Sequence, residues 1–91
     1  MNRVSIENLP VEVADTLHRI RQGIPLNYPR DGSVFQNREG KLPIQPSGYY
    51  REFTVTTPAS VNRGARRLIL GSVGEVYYTD DHYANFCQVE E

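Results

Sequence analysis

Four side chains of this sequence are of the types that move protons around an anion. Glu52 sits in the run "YYREFTVTTP" and Arg67 is the second residue of the run "RRLILG". Both runs have the two-residue period of a half-buried strand. If Phe53 and Val55 point into a core, Glu52 must point to the opposite face, and burial of Leu68 and Leu70 turns Arg67 the same way. "RGARR", from Arg63 to Arg67, packs three arginines into five residues. His82 lies in the polar turn "TDDHY" at the mouth of a strand. A carboxylate can take a proton, an imidazolium can return one, and guanidinium groups can hold a phosphate between them. A plainer reading is also open. A Glu and an Arg on neighbouring strands can be a cross-strand ion pair worth a fraction of a kcal/mol, and an arginine cluster can be a solvated face. His82 weighs against that reading, because an imidazole among polar residues at a strand end is neither a core filler nor a cap.

A second stretch raises a separate question. In "VFQNREGKLP", two strand-forming residues, Val34 and Phe35, are followed at once by two amides, a cation, an anion and a glycine. Such a segment can be a polar surface turn with an Arg38/Glu39 pair, or a loop that presents its polar groups to a ligand. Its composition leaves both open.

The elements that must position these groups can be read from periodicity. "PVEVADTLHRIRQG" is a helix: Pro10 suits its first turn, Glu12 and Asp15 lie near its positive end, and Arg19 and Arg21 near the other. Gly23 is a C-cap, and Val13, Leu17 and Ile20 form one apolar stripe, with His18 beside it as a surface residue. "IPLNYPRDGS" and "LPIQPSG" are loops. The strands are a short one at Val34 and Phe35, then "YYREFTVTTP", "RRLILG", "EVYYT" and "YANFCQV". One helix followed by four or five strands predicts an α+β domain spanning residues 1–91, the helix packed on one face of a four- to five-stranded antiparallel sheet.

Bulk properties narrow the classes. The chain has 91 residues, 38% hydrophobic and 23% charged, which fits one domain with a small core. Six Tyr and three Phe must supply much of the buried area. No apolar run approaches the roughly 20 residues of a membrane helix, and "MNRVSIENLP" lacks the pattern of a signal peptide. The net charge of -1 gives no global attraction to nucleic acid, although a local basic cleft can still hold a phosphate. The single cysteine, Cys87, excludes an internal disulfide and reads as a half-buried strand residue. His18 and His82 have no partners at metal-ligand spacing, so neither a metal nor another cofactor is expected. RNA fits this inventory, since its ribose 2′-hydroxyl is its own nucleophile and its cleavage requires no metal.

The segments "DGSVFQNREGKLP", "GYYREFTV", "RGARRLI" and "YYTDDHYANF", preceded by "LPVEVADTLHRI", resemble in order the signature segments of the microbial guanyl-specific ribonucleases, small secreted bacterial enzymes related to barnase. The resemblance runs from the helix to Phe86. It implies that Glu52 is the general base for the 2′-hydroxyl and His82 the general acid for the departing 5′-oxygen. The product would be a 2′,3′-cyclic phosphate, hydrolysed more slowly to a 3′-phosphate with the two roles exchanged. It implies that Arg63 and Arg67 grip the phosphate, that Tyr83 hydrogen-bonds it, and that Arg66 faces away as a structural residue. The stretch at 35–39 would be the guanine pocket: Glu39 would accept N1–H and N2–H, backbone N–H groups of Gln36, Asn37 and Arg38 would meet O6 and N7, and Phe35 would lie at its base, stacked on the purine or packed beneath it.

Many relatives with this pattern carry a disulfide from the first strand to the C-terminus; here the position lies near Ser5, and Cys87 has no partner, which implies lower stability. Single-stranded RNA is the expected partner, with a proteinaceous inhibitor, barstar-like or an immunity protein, as a second. A monomer without membrane association is expected. Two settings fit the same chemistry: a free secreted ribonuclease, which the resemblance favours, or the toxin module of an exported effector delivered into a target cell. A catalytically silent RNA- or protein-binding domain is a third reading, weakened by the presence of all four of Glu52, Arg63, Arg67 and His82.

Overall fold

The computed structural model describes all residues, 1–91. Its elements are β1 (Arg3–Ser5), a 3-10 turn (Ile6–Asn8), α1 (Val11–Gln22), β2 (Ser33–Phe35), β3 (Tyr50–Thr54), β4 (Arg67–Gly71), β5 (Val76–Thr79) and β6 (Cys87–Glu90). They form one six-stranded sheet in the order β1-β6-β5-β4-β3-β2. The helix-on-sheet α+β class is the one expected. The sheet gains a sixth strand, β1, which pairs parallel to β6 with Arg3 opposite Gln88; the other pairings are antiparallel. β1 has only three residues, too few for a period to show in the sequence, and it is specified by its partner. β6 is shorter than "YANFCQV" suggests, because Tyr83 to Phe86 leave the ladder for a loop.

Helix α1 begins after Pro10 and stops at Gly23, whose φ of 68° lets its N–H return to the carbonyls of Arg19 and Ile20. Its stripe packs Val13 and Leu17 against Phe53, Val55, Leu68, Val76, Tyr78 and Val89. Burying side chains of this size contributes about 1.5–3 kcal/mol each. Arg66 points to this side and pairs with Glu12 of the helix at 3.5 Å, the structural role expected of it.

The other sheet face carries a smaller cluster of Leu42, Tyr50, Ile69 and Tyr77, edged by Phe35, Tyr49, Tyr83 and Phe86. Strand parity places Glu52 and Thr54 here together with Arg67 and Thr79. Register sets Glu52 opposite Ile69 and Thr54 opposite Arg67, with Thr79 opposite Arg67 on its other side. Glu52 and Arg67 are therefore diagonal neighbours on adjacent strands, one row apart.

Candidate active site

Tyr83 is the centre of the open face. Its hydroxyl donates to Oε1 of Glu52 at 2.9 Å, and its ring stacks on Phe35 at 5.4 Å between centroids. The guanidinium of Arg67 lies 5.9 Å from the centre of that ring, and the His82 ring packs edge-on to it at 4.9 Å. The base, the acid and one arginine expected from the sequence thus share a single aromatic neighbour. Burial, and next the bond to Glu52, push the Tyr83 phenol up to about 12, so it remains a proton donor through the neutral range.

Both site arginines are held by short local contacts. Arg67 is 2% exposed, and its Nη1 donates to the carbonyls of Gly64 and Arg66 at 3.0 and 2.8 Å. Its Nε is buried and has no acceptor in the protein. A buried guanidinium that spends only its Nη1 donors on its own chain is poised for an anion, which excludes a solvated arginine face. Arg63 donates from Nε and Nη2 to the Thr54 hydroxyl at 3.1 and 2.8 Å, and its guanidinium lies 5.7 Å from the Tyr28 ring centre. The glycine between the arginines is needed: Gly64 has a φ of 69°, and a Cβ there would come within 2.6 Å of the Thr57 hydroxyl. No ion pair joins Glu52 to Arg67; the carboxylate is engaged by the phenol instead.

His82 and Tyr83 both have left-handed backbones, with φ of 55° and 73°. Such residues cost on the order of 1–3 kcal/mol each and persist only where surroundings fix them. Here Asp81 accepts from the backbone N–H and side-chain amide of Asn85 at 2.9 and 2.8 Å and from Thr79 at 2.8 Å. The Thr79 hydroxyl accepts from the Tyr83 N–H at 3.2 Å, and the His82 N–H donates to Ala65 in the arginine loop at 3.0 Å. The Asn85 side chain, then backbone N–H groups and Thr79, draw the Asp81 carboxyl down to about 2. The exposed His82 ring is thereby carried on a backbone tied to the arginine loop, edge-on to Tyr83.

The stretch at 35–39 forms the neighbouring cleft. A hollow of about 200 Å³ is lined by Phe35 to Glu39 together with Lys41, Tyr83 and Phe86. None of the backbone N–H groups of Gln36, Asn37, Arg38 and Glu39 donates to a protein acceptor. Asn37 adopts a φ of 53°, and its side chain brackets Leu42, donating to its carbonyl at 3.0 Å and accepting from its N–H at 3.1 Å. That clamp, with Leu42 buried at 2% exposure, holds the loop off the sheet. Phe35 packs between Tyr83 and Phe86 at the cleft wall. The Glu39 side chain is 74% exposed and lies 3.7 Å from Nζ of Lys41.

The structure gathers Glu52, Arg67 and His82 around Tyr83 and Phe35 to Glu39 around the adjoining cleft, while Arg63 stands one neighbour away, on Thr54. It adds Thr54 and Tyr28 around Arg63, the Thr79, Asp81 and Asn85 network beneath His82, and Lys41 beside Glu39. Only the network had a legible signal, since Thr, Asp and Asn in "TDDHYAN" are turn-forming types. A second hollow of about 240 Å³ beside Thr54 is lined by Glu12, Asp15, Arg19, Tyr28 and Asp31 among others, and holds no imidazole.

Comparison with known proteins identifies the family. The ribonuclease family model matches residues 1–90. Guanyl-specific ribonuclease St of Saccharopolyspora erythraea is 51% identical over 84 residues, covering 92% of this chain and 83% of that protein. Guanyl-specific ribonuclease Sa of Kitasatospora aureofaciens is 49% identical over 89 residues, covering 97% and 93%. Among solved structures, ribonuclease Sa2 with guanosine-2′-cyclophosphate is similar with a TM-score of 0.94 at 46% identity, covering 99% of this chain and 96% of that one. With mononucleotides bound, the same ribonuclease gives a TM-score of 0.96 and covers 100% and 95%. By sequence and by fold, the chain belongs to the ribonuclease family.

Proposed function

We infer that the protein is a guanyl-specific endoribonuclease that cleaves single-stranded RNA on the 3′ side of guanosine through a 2′,3′-cyclic phosphate. The observation that carries this reading is the Tyr83-centred cluster: a carboxylate, an imidazole and a buried arginine meet over one sheet face, directly beside a cleft edged by four unpaired N–H groups and Glu39. Two relatives at about half identity are guanyl-specific ribonucleases, and ribonuclease Sa2 has been solved with 3′-GMP as well as with the cyclic ester.

In the first step Glu52 removes the 2′-hydroxyl proton, the 2′-oxygen attacks phosphorus, and the 5′-oxygen leaves with a proton from His82. Arg63 and Arg67 meet the charge that builds on the phosphoryl oxygens, Arg67 with donors that its own chain leaves unspent. The Tyr83 phenol, whose one proton goes to Glu52 in the free enzyme, turns that proton to the phosphate once substrate is bound. In the second step His82 activates water and Glu52 returns the proton, opening the ring to a 3′-phosphate.

Base choice follows from the cleft. Glu39 accepts N1–H and N2–H of guanine while the N–H groups of Gln36 to Arg38 donate to O6 and N7. Adenine has no N1–H and sets an amino group against those donors, leaving polar groups that the bound base covers without partners. N1–H and N2–H are the groups a guanine uses in a duplex, so only an unpaired guanosine can be read. Replacing Glu39 by Ala should lower the GpC to ApC preference at least about tenfold while cyclisation itself persists. Unchanged preference would overturn the pocket assignment. We place the enzyme outside the producing cell as a free secreted ribonuclease; a small acidic inhibitor gene beside its own would instead favour the toxin module.

A further inference from the structure

Lys41 has no role in the mechanism above, yet its ammonium group touches both halves of the site. Nζ donates to the carbonyl of Ala84 at 2.6 Å and of Tyr83 at 3.5 Å, and lies 3.7 Å from Oε2 of Glu39. It thus bridges segments separated by more than forty residues: the loop that reads the base and the loop that carries His82 and Tyr83. The rest of the link between those loops is apolar, through Phe35, Tyr83 and Phe86. Nζ has one position to share: it bonds Ala84, stands at the limit of hydrogen-bond distance from Tyr83, and faces the Glu39 carboxylate as a charge pair without a hydrogen bond.

We propose that Lys41 is a positioning residue that couples guanine recognition to placement of the loop bearing the general acid. The proposal rests on the base-pocket reading given above. The warrant is competition for one cation. Glu39 draws Nζ away from the loop as long as its carboxylate carries no other donors. When N1–H and N2–H of guanine donate to Glu39, that pull weakens and the ammonium settles on the carbonyls of Tyr83 and Ala84. His82 and Tyr83 hold left-handed backbones, with φ of 55° and 73°. An added anchor immediately after them therefore acts beside two consecutive left-handed residues. Adenine, which offers Glu39 no such donors, leaves Nζ divided. The correct base then raises the rate of the chemical step as well as binding.

Kinetics provide the first test. Lys41→Met keeps the stem and removes the cation, and should lower kcat on GpC about fivefold to tenfold, the worth of a charge-assisted hydrogen bond at a partly exposed site. The loss on ApC should be smaller by a factor of at least about three, and Lys41→Arg should recover most of the GpC rate. Equal losses on the two dinucleotides, or a change confined to KM, would overturn the coupling and leave Lys41 as a prop or a binding residue. A measurement on the unaltered protein is independent of how the variants fold. Guanosine, which carries the base but no phosphate, should shift the backbone amide NMR signals of Gln36 to Glu39 and also those of Ala84 and Asn85, which do not line the cleft, and adenosine should shift neither set. Shifts at Gln36 to Glu39 alone would refute the coupling and spare the pocket; no shift at either would refute the pocket reading itself.

Discussion

Removing the Tyr83 hydroxyl isolates one bond in the catalytic cluster. Tyr83→Phe deletes the donor to Glu52, 2.9 Å away, and keeps the ring that stacks on Phe35 and lies beneath Arg67. In the reaction that donor turns to the phosphate, and a hydrogen bond to a charged acceptor is worth about 1.5–3 kcal/mol. Tyr83 is only half-buried, so water recovers part of it, leaving about 1–2 kcal/mol, or roughly a five- to thirtyfold loss in kcat on GpC. Because the ring contacts remain, the melting temperature should move by no more than a few degrees. Tyr83→Leu should lose more, since stacking adds about 0.5–1.5 kcal/mol and the Arg67 contact about 0.5–1 kcal/mol. Steady-state cleavage of GpC with thermal melts of both variants separates the terms. A Tyr83→Phe enzyme with kcat within twofold of the original, or one altered only in KM, would refute the placement of the phenol between base and phosphate.

Three further outcomes follow from the supporting residues. Thr54 is 5% exposed and spends its hydroxyl on Arg63; Thr54→Val should lower kcat about fivefold or more and Thr54→Ser should not, so equal activities would show that the hydroxyl does not set Arg63. Asn37→Gly keeps the left-handed backbone and loses the bracket on Leu42; KM for GpC should rise several-fold with little change in kcat, and a fall in kcat alone would contradict the loop's role. Asp81 has its carboxyl drawn below its usual range, to about 2. A depressed carboxyl stabilises the fold above its unfolded pKa, and that contribution is lost as pH falls through the folded value. Melting temperature should therefore decline between about pH 4 and 2, less steeply in Asp81→Asn; parallel slopes would mean that Asp81 does not hold the His82 loop.

Much of this site was legible because strands encode facing by parity. Phe53 and Val55 enter the core, so Glu52 faces away from it, and Leu68 fixes Arg67 in the same manner. The helix was equally plain, with its stripe and its Gly23 cap. What the sequence did not show depends on partners distant along the chain. β1 exists because β6 lies beside it. Thr54 becomes a ligand for Arg63 only when β3 and the arginine loop meet. Lys41 reaches Tyr83 and Ala84 only after both loops fold back over the sheet. The left-handed backbones of His82 and Tyr83 run against the preference of bulky residues and are imposed by the Thr79, Asp81 and Asn85 network. Residue type alone announces none of these.

The most direct test follows the phosphorus atom. Phosphorus NMR of GpC incubated with the enzyme in EDTA should show guanosine 2′,3′-cyclic phosphate accumulating first and 3′-GMP replacing it later, with ApC turned over far more slowly and Glu52→Gln arrested before the cyclic ester. Direct appearance of 3′-GMP without the cyclic ester, cleavage abolished by the chelator, or equal rates on the two dinucleotides would contradict the account.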